Sequence, residues 1–122
     1  MTNETPDWAR PMVFFEIRAR DARVMRAFYR ELFNWKIEEN DFVARIPPGV
    51  GPPEEGVGGI ILPNEKSPGV SLYVQVRDLR ESLAKAEQLG GRKTADPFDV
   101  PNGPTIAQIA DPEGNLVGLV QQ

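Results

Sequence analysis

The sequence contains no cysteine and no histidine in its 122 residues. The chain therefore has neither a thiolate nor an imidazole, which excludes Ser-His-Asp and Cys-His nucleophile systems and the usual nitrogen and sulfur metal ligands. Because there is no cysteine to oxidise, the composition says nothing about the redox compartment. These two absences remove much of enzyme chemistry at once.

Long hydrophobic runs are also missing. No segment has the length of a membrane span, and residues 1–10 lack the apolar core of a signal peptide. We therefore expect a cytoplasmic protein without a membrane partner. The formal net charge of -4 argues against a nucleic acid partner. A local cluster of basic residues is interpreted as solvated helix and strand-end positions: Arg18, Arg20, Arg23, Arg26 and Arg30.

What the sequence does contain is an internal repeat. Residues 13–37 recur as residues 70–94, shifted by 57 positions, with identities at Val13/Val70, Arg20/Arg77, Asp21/Asp78, Arg23/Arg80, Ala27/Ala84, Leu32/Leu89 and Lys36/Lys93. Chance gives only about one or two identities over such a length. A chain of this size suits one domain. We predict a single domain, 1–122, built from modules at about 12–62 and 70–122 with a linker at 63–69.

The first module is predicted to begin with a strand and a helix. From Met12 onward the residues alternate between an apolar face (Val13, Phe15, Ile17 and Ala19) and a second face (Met12, Phe14, Glu16 and Arg18). Asp21 is a predicted helix cap and Asn34 a left-handed helix end. Between them an apolar stripe has a spacing of four: Val24, Phe28 and Leu32. Shorter strands are predicted near 35–39, 42–46 and 58–62. Most aromatic residues are interpreted as core, namely Phe15, Phe28, Phe33 and Trp35.

The second module repeats this order. A strand over about 70–77 has an apolar face and a polar face that carries Ser71, Tyr73, Gln75 and Arg77. Asp78 and Glu81 form a capping box for a helix whose buried stripe is Leu79, Leu83 and Ala86. Later strands are predicted near 91–95, 104–110 and 115–121, the last two joined by an Asp-Pro-Glu-Gly-Asn turn at 111–115. Each module therefore reads β-α-β-β-β.

Three short motifs now combine with the repeat: Phe-Tyr at 28–29, Leu-Phe-Asn-Trp at 32–35 and Asp-Pro-Glu-Gly-Asn at 111–115. In this order and spacing the chain resembles the vicinal oxygen chelate superfamily of glyoxalases, bleomycin resistance proteins and extradiol dioxygenases. The resemblance implies an α+β fold in which two tandem βαβββ modules form an open, barrel-like cup that holds the ligand. It also implies a homodimer, and it leaves open whether modules pair within one chain or between chains.

The resemblance further implies where metal-dependent relatives hold their ion. The first-strand ligand lies seven residues before the capping Asp, which selects Phe14 and Ser71, and the last-strand positions are Gly118 and its repeat counterpart Ile61. None of these four residues supplies an imidazole or carboxylate. We therefore predict no metal and no cofactor, and the metal-dependent chemistries are not carried over.

The family position of Phe14 implies which strand faces line the cup. Period two then places Glu16 and Arg18 beside Phe14, and Tyr73 and Gln75 beside Ser71. The predicted ligand-binding residues are Phe14, Glu16, Arg18, Ile61, Ser71, Tyr73, Gln75 and Gly118. This set is largely apolar with a few polar groups, which is typical of small-molecule pockets.

Three functions remain open from the sequence. The favoured hypothesis is metal-independent binding of an apolar or aromatic small molecule, as in the bleomycin resistance branch. The second is a metal-independent isomerase or lyase with Glu16 as general base and Tyr73 as hydrogen-bond donor. The plainer interpretation of the same residues is that Glu16 pairs with Arg18 or with a residue of the neighbouring strand, and that the Tyr73 hydroxyl faces water. The third is an interaction module whose sheet edges pair with another chain.

Overall fold

The computed structural model of the chain describes residues 9–39, 43–47 and 56–121. Its elements follow the predicted order twice. The first module contains β1 (Met12–Ala19), α1 (Ala22–Phe33), β2 (Glu38–Glu39), β3 (Ala44–Ile46) and β4 (Gly59–Pro63). The second contains β5 (Gly69–Val76), α2 (Leu79–Gln88), β6 (Arg92–Asp99), β7 (Thr105–Ala110) and β8 (Leu116–Gln121). The prediction of an α+β fold with two βαβββ modules is confirmed.

All eight strands form one open sheet in the order β2-β3-β4-β1-β5-β8-β7-β6. The first strands of the two modules, β1 and β5, pair antiparallel at its centre, where Phe15 lies opposite its repeat counterpart Leu72. On either side, β4 pairs parallel with β1 and β8 pairs parallel with β5. The two modules therefore pair within one chain, along a local axis of approximate twofold symmetry.

The helix ends follow the predicted local chemistry. The Asp21 carboxylate accepts hydrogen bonds from the backbone N–H groups of Arg23 and Val24, and Asn34 ends α1 in the left-handed conformation with φ of 58°. In α2, the Asp78 carboxylate accepts from the Glu81 N–H at 2.9 Å. These contacts satisfy N–H groups that have no partner inside the helix. Neither helix, nor any other among the described ranges, has the length and apolar character needed to cross a membrane.

Each helix packs over its own half of the sheet. The first core cluster is built from strand residues of module 1: Ile17, Ala19, Ala44, Ile46 and Ile61. From the helix side it is contacted by Ala22, Met25 and Tyr29. The second cluster contains Val76, Leu79, Leu83, Ala107 and Leu119, so the predicted buried leucines of α2 are confirmed.

The prediction that Phe28 and Phe33 belong to the core is wrong, because both side chains are about half exposed. Phe15 and Trp35 do pack against the first cluster, as predicted. The reason is that α1 carries two apolar stripes, and the stripe through Met25 meets the sheet instead of the stripe through Phe28. Spacing along a helix shows that a stripe exists but not which of two stripes is buried.

Two strand boundaries also differ from prediction. In module 1, the described part of β2 is Glu38–Glu39, and the predicted strand residue Phe42 lies outside the described residues. In module 2, β6 continues through Pro97 to Asp99 and ends in a tight turn in which the Val100 N–H donates to the Pro104 carbonyl. A Pro is tolerated here because β6 is an edge strand, whose outer N–H groups have no ladder partner.

Both edges of the sheet are poor templates for another strand. At one edge the part of β2 that the structure describes consists of two glutamates. At the other edge β6 contains Pro97, two irregularities in its pairing with β7, and an ion pair of 2.6 Å between Lys93 and Asp96. Short strands, charges, prolines and bulges are the features that discourage edge pairing. The edge-pairing function is therefore not favoured.

Candidate functional site

The predicted site residues of β1 and β5 lie on the face of the sheet opposite the two helices. We call this the open face; on the two central strands it comprises Phe14, Glu16, Arg18, Ser71, Tyr73 and Gln75. Phe14 lies opposite Tyr73, and Glu16 lies opposite Ser71. Directly opposed residues of an antiparallel pair project from the same face, so alternation within each strand brings these side chains together. Their grouping on one face is confirmed.

Four of these residues form a buried polar network. The Arg18 Nη1 donates to Glu16 Oε2 at 2.8 Å and to Ser71 Oγ at 2.6 Å. The Tyr73 hydroxyl donates to Glu16 Oε1 at 3.0 Å. Arg18 also donates through Nε to the Ser67 carbonyl at 2.7 Å. The polar network, defined as Glu16, Arg18, Ser71 and Tyr73, therefore connects the first module to both the linker and the second module.

The two charges of the network are withdrawn from solvent and cancel each other. Glu16 and Arg18 are each 8% exposed, and Ser71 is 2% exposed. The interpretation of Arg18 as a solvated position is therefore wrong, because its cation is needed inside the sheet to partner Glu16. Buried charges are stable in proteins mainly when they are paired and hydrogen-bonded, as here.

Tyr73 acts in this network as a hydrogen-bond donor. Burial raises the pKa of its phenol well above the ordinary value, and the negative charge of Glu16 and the hydrogen bond to it raise the pKa further, against a smaller opposite effect of Arg18. The phenol therefore stays protonated. Each Glu16 oxygen accepts one hydrogen bond within the chain, from Arg18 on Oε2 and from Tyr73 on Oε1, so a substrate proton would have to approach the carboxylate beside these two donors.

Outside the network, the open face is mainly apolar. The Phe14 and Tyr73 rings meet edge to face, with centroids 5.7 Å apart and planes at 82°. On β4, Ile60 and Leu62 lie opposite Glu16 and Arg18 and are partly exposed. Further partly exposed residues on this face are Gln75, Ile106, Gln108 and Leu116. An accessible surface of rings and aliphatic groups with a few amides can hold an apolar molecule.

The prediction that Ile61 lines the cup is wrong. Ile61 pairs with Ile17 in the parallel β1–β4 ladder and is fully buried on the helix side. The open-face residue opposite Glu16 is Ile60, just as Gly118 is opposite Tyr73. The structural counterpart of Gly118 is thus Ile60, which lies 58 positions earlier instead of 57. The segment that precedes the closing strand differs in length by one residue between the two modules, and a shift of one residue along a strand moves a side chain to the other face of the sheet.

Ile60 and Leu62 were missed for the same reason. The run Ile60, Ile61 and Leu62 is apolar at every position, so alternation cannot decide which side chains face the helix. Gly118 lies on the open face, beside Gln108 and Tyr73. Gln75 shares this face by alternation with Tyr73 and lies opposite Val120.

The residues at the implied ligand positions do not fit a metal ion. Phe14, Ser71, Gly118 and Ile60 offer one hydroxyl oxygen between them, and that oxygen already accepts from Arg18. A Cβ built on Gly118 would collide with the Tyr73 ring, so the place of a ligating side chain is filled by that ring. Within the described ranges, no group of three or more acidic side chains is arranged to hold a metal.

Three cavities lined by described residues lie elsewhere. One of about 1060 Å³ is lined on the helix side of module 1 by residues that include Phe15, Trp35 and Ile37. One of about 340 Å³ lies between α1 and the start of β5, and one of about 850 Å³ lies beside α2. None of the three is lined by Phe14, Ser71 or Tyr73, and of the open-face residues of β1 and β5 only Arg18 lines one of them, the cavity of about 340 Å³.

Comparison with known structures identifies the same fold in proteins of low identity. The Streptomyces coelicolor methylmalonyl-CoA epimerase, in complex with 2-nitronate-propionyl-CoA, is similar with a TM-score of 0.66 and 17% identity, over 92% of this chain and 94% of the epimerase. A glyoxalase/bleomycin resistance protein/dioxygenase superfamily member from Vibrio splendidus 12B01 has a TM-score of 0.65 and 13% identity, over 93% of this chain and 100% of that one. At these identities the likeness establishes the fold alone.

Sequence comparison adds the family. "Putative glyoxylase CFP32" from Mycobacterium bovis and from Mycobacterium tuberculosis is 27% identical over 128 residues, which is 96% of this chain and 45% of the relative. The chain thus spans about half the length of these curated relatives. The sequence profile of the Glyoxalase-like domain matches residues 12–120, nearly the whole chain. This protein therefore belongs to the Glyoxalase-like domain family.

Proposed function

We propose that the protein binds a small, uncharged molecule of apolar or aromatic character on the open face, without a metal ion. The observation that carries this proposal is the closed polar network. Glu16 and Arg18 satisfy each other, and Ser71 and Tyr73 take up the remaining contacts. What stays accessible is a pair of rings, Phe14 and Tyr73, with aliphatic side chains around them.

The charge arrangement supports an uncharged ligand. The charges of Glu16 and Arg18 neutralise each other at 2.8 Å and lie below the accessible surface, so the open face presents no net charge from this pair to a charged group. Polar contacts would come from Gln75 and Gln108, whose amides both donate and accept. A ligand with one or two carbonyl or amide groups on an aromatic body matches this surface.

The same network supports binding over proton abstraction. A general base needs a carboxylate oxygen within reach of the substrate proton. Glu16 is buried and accepts a hydrogen bond on each oxygen, which corresponds to the pairing interpretation of this residue rather than to the catalytic one. Two of the similar proteins are named as an epimerase and a glyoxylase. For this chain, these names suggest only which classes of reaction to test.

The proposal is tested by thermal unfolding with matched compounds. Each uncharged aromatic amide is compared with its carboxylate analogue, before and after treatment with EDTA. A binding compound at about one hundred times its Kd stabilises the folded state by about 2.7 kcal/mol. We expect the uncharged member of a pair to raise Tm more, with no effect of EDTA. Stabilisation only by the carboxylates, or only with metal, would contradict the proposal.

Two variants locate the site. Phe14→Ala removes a ring from the open face and should weaken binding about tenfold or more, the effect of losing one well-packed aromatic contact. Phe33→Ala is the matched control, because it removes a half-exposed ring on the helix side. Equal losses in both variants would place the ligand elsewhere. If any turnover is found, Glu16→Gln tests the catalytic alternative: abolished turnover supports it, and unchanged turnover excludes Glu16 as the base.

A further inference from the structure

The cavity of about 1060 Å³ on the helix side of module 1 is larger than the two other cavities described above. It lies beside the end of α1, on the opposite side of the sheet from the open face. Small-molecule sites commonly have volumes of about 300–1,000 Å³ and apolar walls with a few polar groups. We call this cavity the helix-side pocket, and the lining residues that matter below are Phe15, Arg30, Trp35, Lys36, Ile37 and Ile46.

One wall of the helix-side pocket is aromatic and held in place by packing. The Phe15 and Trp35 rings both line it, with centroids 5.8 Å apart. Tyr29 supports the indole from outside the pocket, stacked at 5.2 Å with planes at 10°. The Phe15 ring lies directly over Gly59, where a Cβ would collide with it. A fixed surface of two rings favours an aromatic ligand that can stack against it.

Two cations border the same pocket. Arg30 and Lys36 both line it, and the Lys36 side chain is exposed. Among the described lining residues, Glu38 is the one carboxylate, and Arg45 Nη1 pairs with its Oε1 at 3.1 Å. Because Arg45 neutralises this carboxylate, the two cations give the described lining a positive charge.

The Arg30 guanidinium has donors available for a ligand. It shares the Glu39 carboxylate with Arg26, whose Nε lies 2.7 Å from Oε1. The Nη2 of Arg30 lies 3.7 Å from that same oxygen, which is too long for a hydrogen bond. A guanidinium carries five N–H donors in one plane and binds phosphate oxygens well. Arg30 can therefore bind an anion without losing a short contact to Glu39.

The repeat indicates that this chemistry belongs to module 1 alone. Shifted by 57 positions, Trp35 corresponds to Arg92 and Arg30 corresponds to Glu87. Module 2 thus has a cation in place of the stacking ring and an acid in place of the guanidinium. The combination of rings and cations is not a property of the duplicated scaffold as such.

From these observations we infer that the helix-side pocket binds an aromatic phosphate. The ring stacks against Phe15 and Trp35, and the phosphate lies between Arg30 and Lys36. A phosphate monoester carries a charge of about -1.5 to -2 near pH 7, which two cations can balance. Hydrogen bonds from charged donors to phosphate are also roughly twice as strong as those between neutral groups.

This inference goes beyond the proposed function and does not rest on it. The two sites lie on opposite sides of the sheet and select ligands of different charge. Phe14→Ala should leave the binding of an aromatic phosphate unchanged. Arg30→Gln should likewise leave the binding of uncharged aromatic amides unchanged. Failure at one site would therefore be seen separately from failure at the other.

The test is a titration with 1-naphthyl phosphate near pH 7, followed by the indole N–H signals in ¹H–¹⁵N NMR spectra. The chain has two tryptophans, Trp8 and Trp35, and the variant Trp8→Phe assigns their signals. We expect the Trp35 signal to shift and saturate. The uncharged comparison, 1-naphthol, should bind about tenfold or more weakly, because it lacks the charged contacts. The comparison with one charge, 1-naphthoate, should also bind less tightly than the phosphate.

Three variants connect the binding to the cations. Arg30→Gln and Lys36→Gln should each raise the Kd for 1-naphthyl phosphate about tenfold, the effect of losing one charged hydrogen bond. Arg23→Gln is the matched control, because it removes the same charge from an exposed position of α1 that does not line the pocket. Backbone amide spectra like that of the unsubstituted protein show that the variants are folded.

Three outcomes would each overturn the inference. The first is a Trp35 signal that 1-naphthyl phosphate does not move. The second is binding of 1-naphthol or 1-naphthoate as tight as that of the phosphate, because the pocket would then not select the phosphate group. The third is an equal rise in Kd in Arg23→Gln, Arg30→Gln and Lys36→Gln, which would show an effect of net charge alone.

Discussion

The two modules have the same order of elements but use their helices differently. In α2, Leu79 and Leu83 are buried, whereas α1 has no buried residue. Position 83 corresponds in the repeat to Arg26, whose side chain reaches Glu39 at 2.7 Å instead of entering the core. The second helix is therefore held by apolar packing, and the first by partly buried aromatic contacts and ion pairs at its rim. The repeated sequence thus determines the order of helices and strands in each module, but it does not determine which side chains of each helix are buried.

The closing strands show a second difference between the halves. Both modules place a glycine under an aromatic ring of the neighbouring first strand, but on opposite faces. Gly118 lies under Tyr73 on the open face, and Gly59 lies under Phe15 on the helix side. The segment that precedes the closing strand differs in length by one residue between the modules, and this difference places Gly59 on the helix side of the sheet instead of the open face. The open face therefore has approximate rather than true twofold symmetry.

The largest expected effect comes from the junction between the halves. Arg18→Met leaves the buried Glu16 with one hydrogen bond instead of two and removes the contacts to Ser71 and the Ser67 carbonyl. Removing one partner of a buried pair typically costs about 3–5 kcal/mol. We expect a loss of this size in the free energy of unfolding, measured by urea titration.

The matched control for this prediction replaces both charges. In Glu16→Leu/Arg18→Met no buried charge lacks a partner, so the double variant should be more stable than Arg18→Met alone. A single variant within about 1 kcal/mol of the unsubstituted protein would show that solvent reaches Glu16 and that the junction is not held by the network.

The next effect compares the helices directly. Leu83→Ala empties a buried position in α2 and should lower the free energy of unfolding by about 2–5 kcal/mol. Phe28→Ala shortens an exposed side chain in α1 and should change it by about 0.5 kcal/mol or less. Both are measured by urea titration at the same protein concentration. A similar loss in the two variants would contradict the different packing of the two helices.

These examples show how far the sequence could predict the molecule. Capping residues such as Asp21 and the alternation of Phe14, Glu16 and Arg18 act within a few residues, and they predicted helix limits and the open face of β1 correctly. The face of Ile61 depends on register across a ladder, which the length of the preceding segment decides. The hydrogen bond from the Tyr73 hydroxyl to Glu16 depends on β1 and β5 pairing within one chain. Local patterns do not contain either fact.

The third effect compares the two glycines. In Gly118→Ala the three atoms nearest to the new Cβ all belong to the Tyr73 ring, whereas in Gly59→Ala they are two atoms of the Phe15 ring and the Phe15 carbonyl oxygen at 2.6 Å. Overpacking of this kind costs about 1–3 kcal/mol. We expect both variants to be destabilised in thermal unfolding, Gly59→Ala more, because a backbone oxygen yields less easily than a ring.

Ring removal distinguishes the two sites. Adding Tyr73→Ala to Gly118→Ala relieves the clash, so the cost of the Gly118 substitution should largely disappear in that background. Adding Phe15→Ala to Gly59→Ala leaves the carbonyl oxygen in place, and the cost of that substitution should remain. Equal recovery at both sites would show that the ring is the only obstacle in each module.

The smallest expected effect is a pH dependence of the free energy of unfolding that comes from Tyr73. The first module has no such tyrosine, because Glu16 occupies the position that corresponds to Tyr73. The folded-state pKa of the phenol is raised from its ordinary value of 10.0. Below pH 10 the phenol is protonated in both states, so the hydrogen bond to Glu16 contributes fully. Above pH 10 the unfolded chain ionises first, and stability falls by somewhat less than about 1.4 kcal/mol per pH unit, because the ring is partly exposed. In urea titrations the advantage of the unsubstituted protein over Tyr73→Phe should be constant up to that pH and shrink beyond it. If the difference in the free energy of unfolding stayed constant into strong alkali, the Tyr73 phenol would ionise equally in the folded and unfolded states. The hydrogen bond to Glu16 would then not stabilise the protonated phenol.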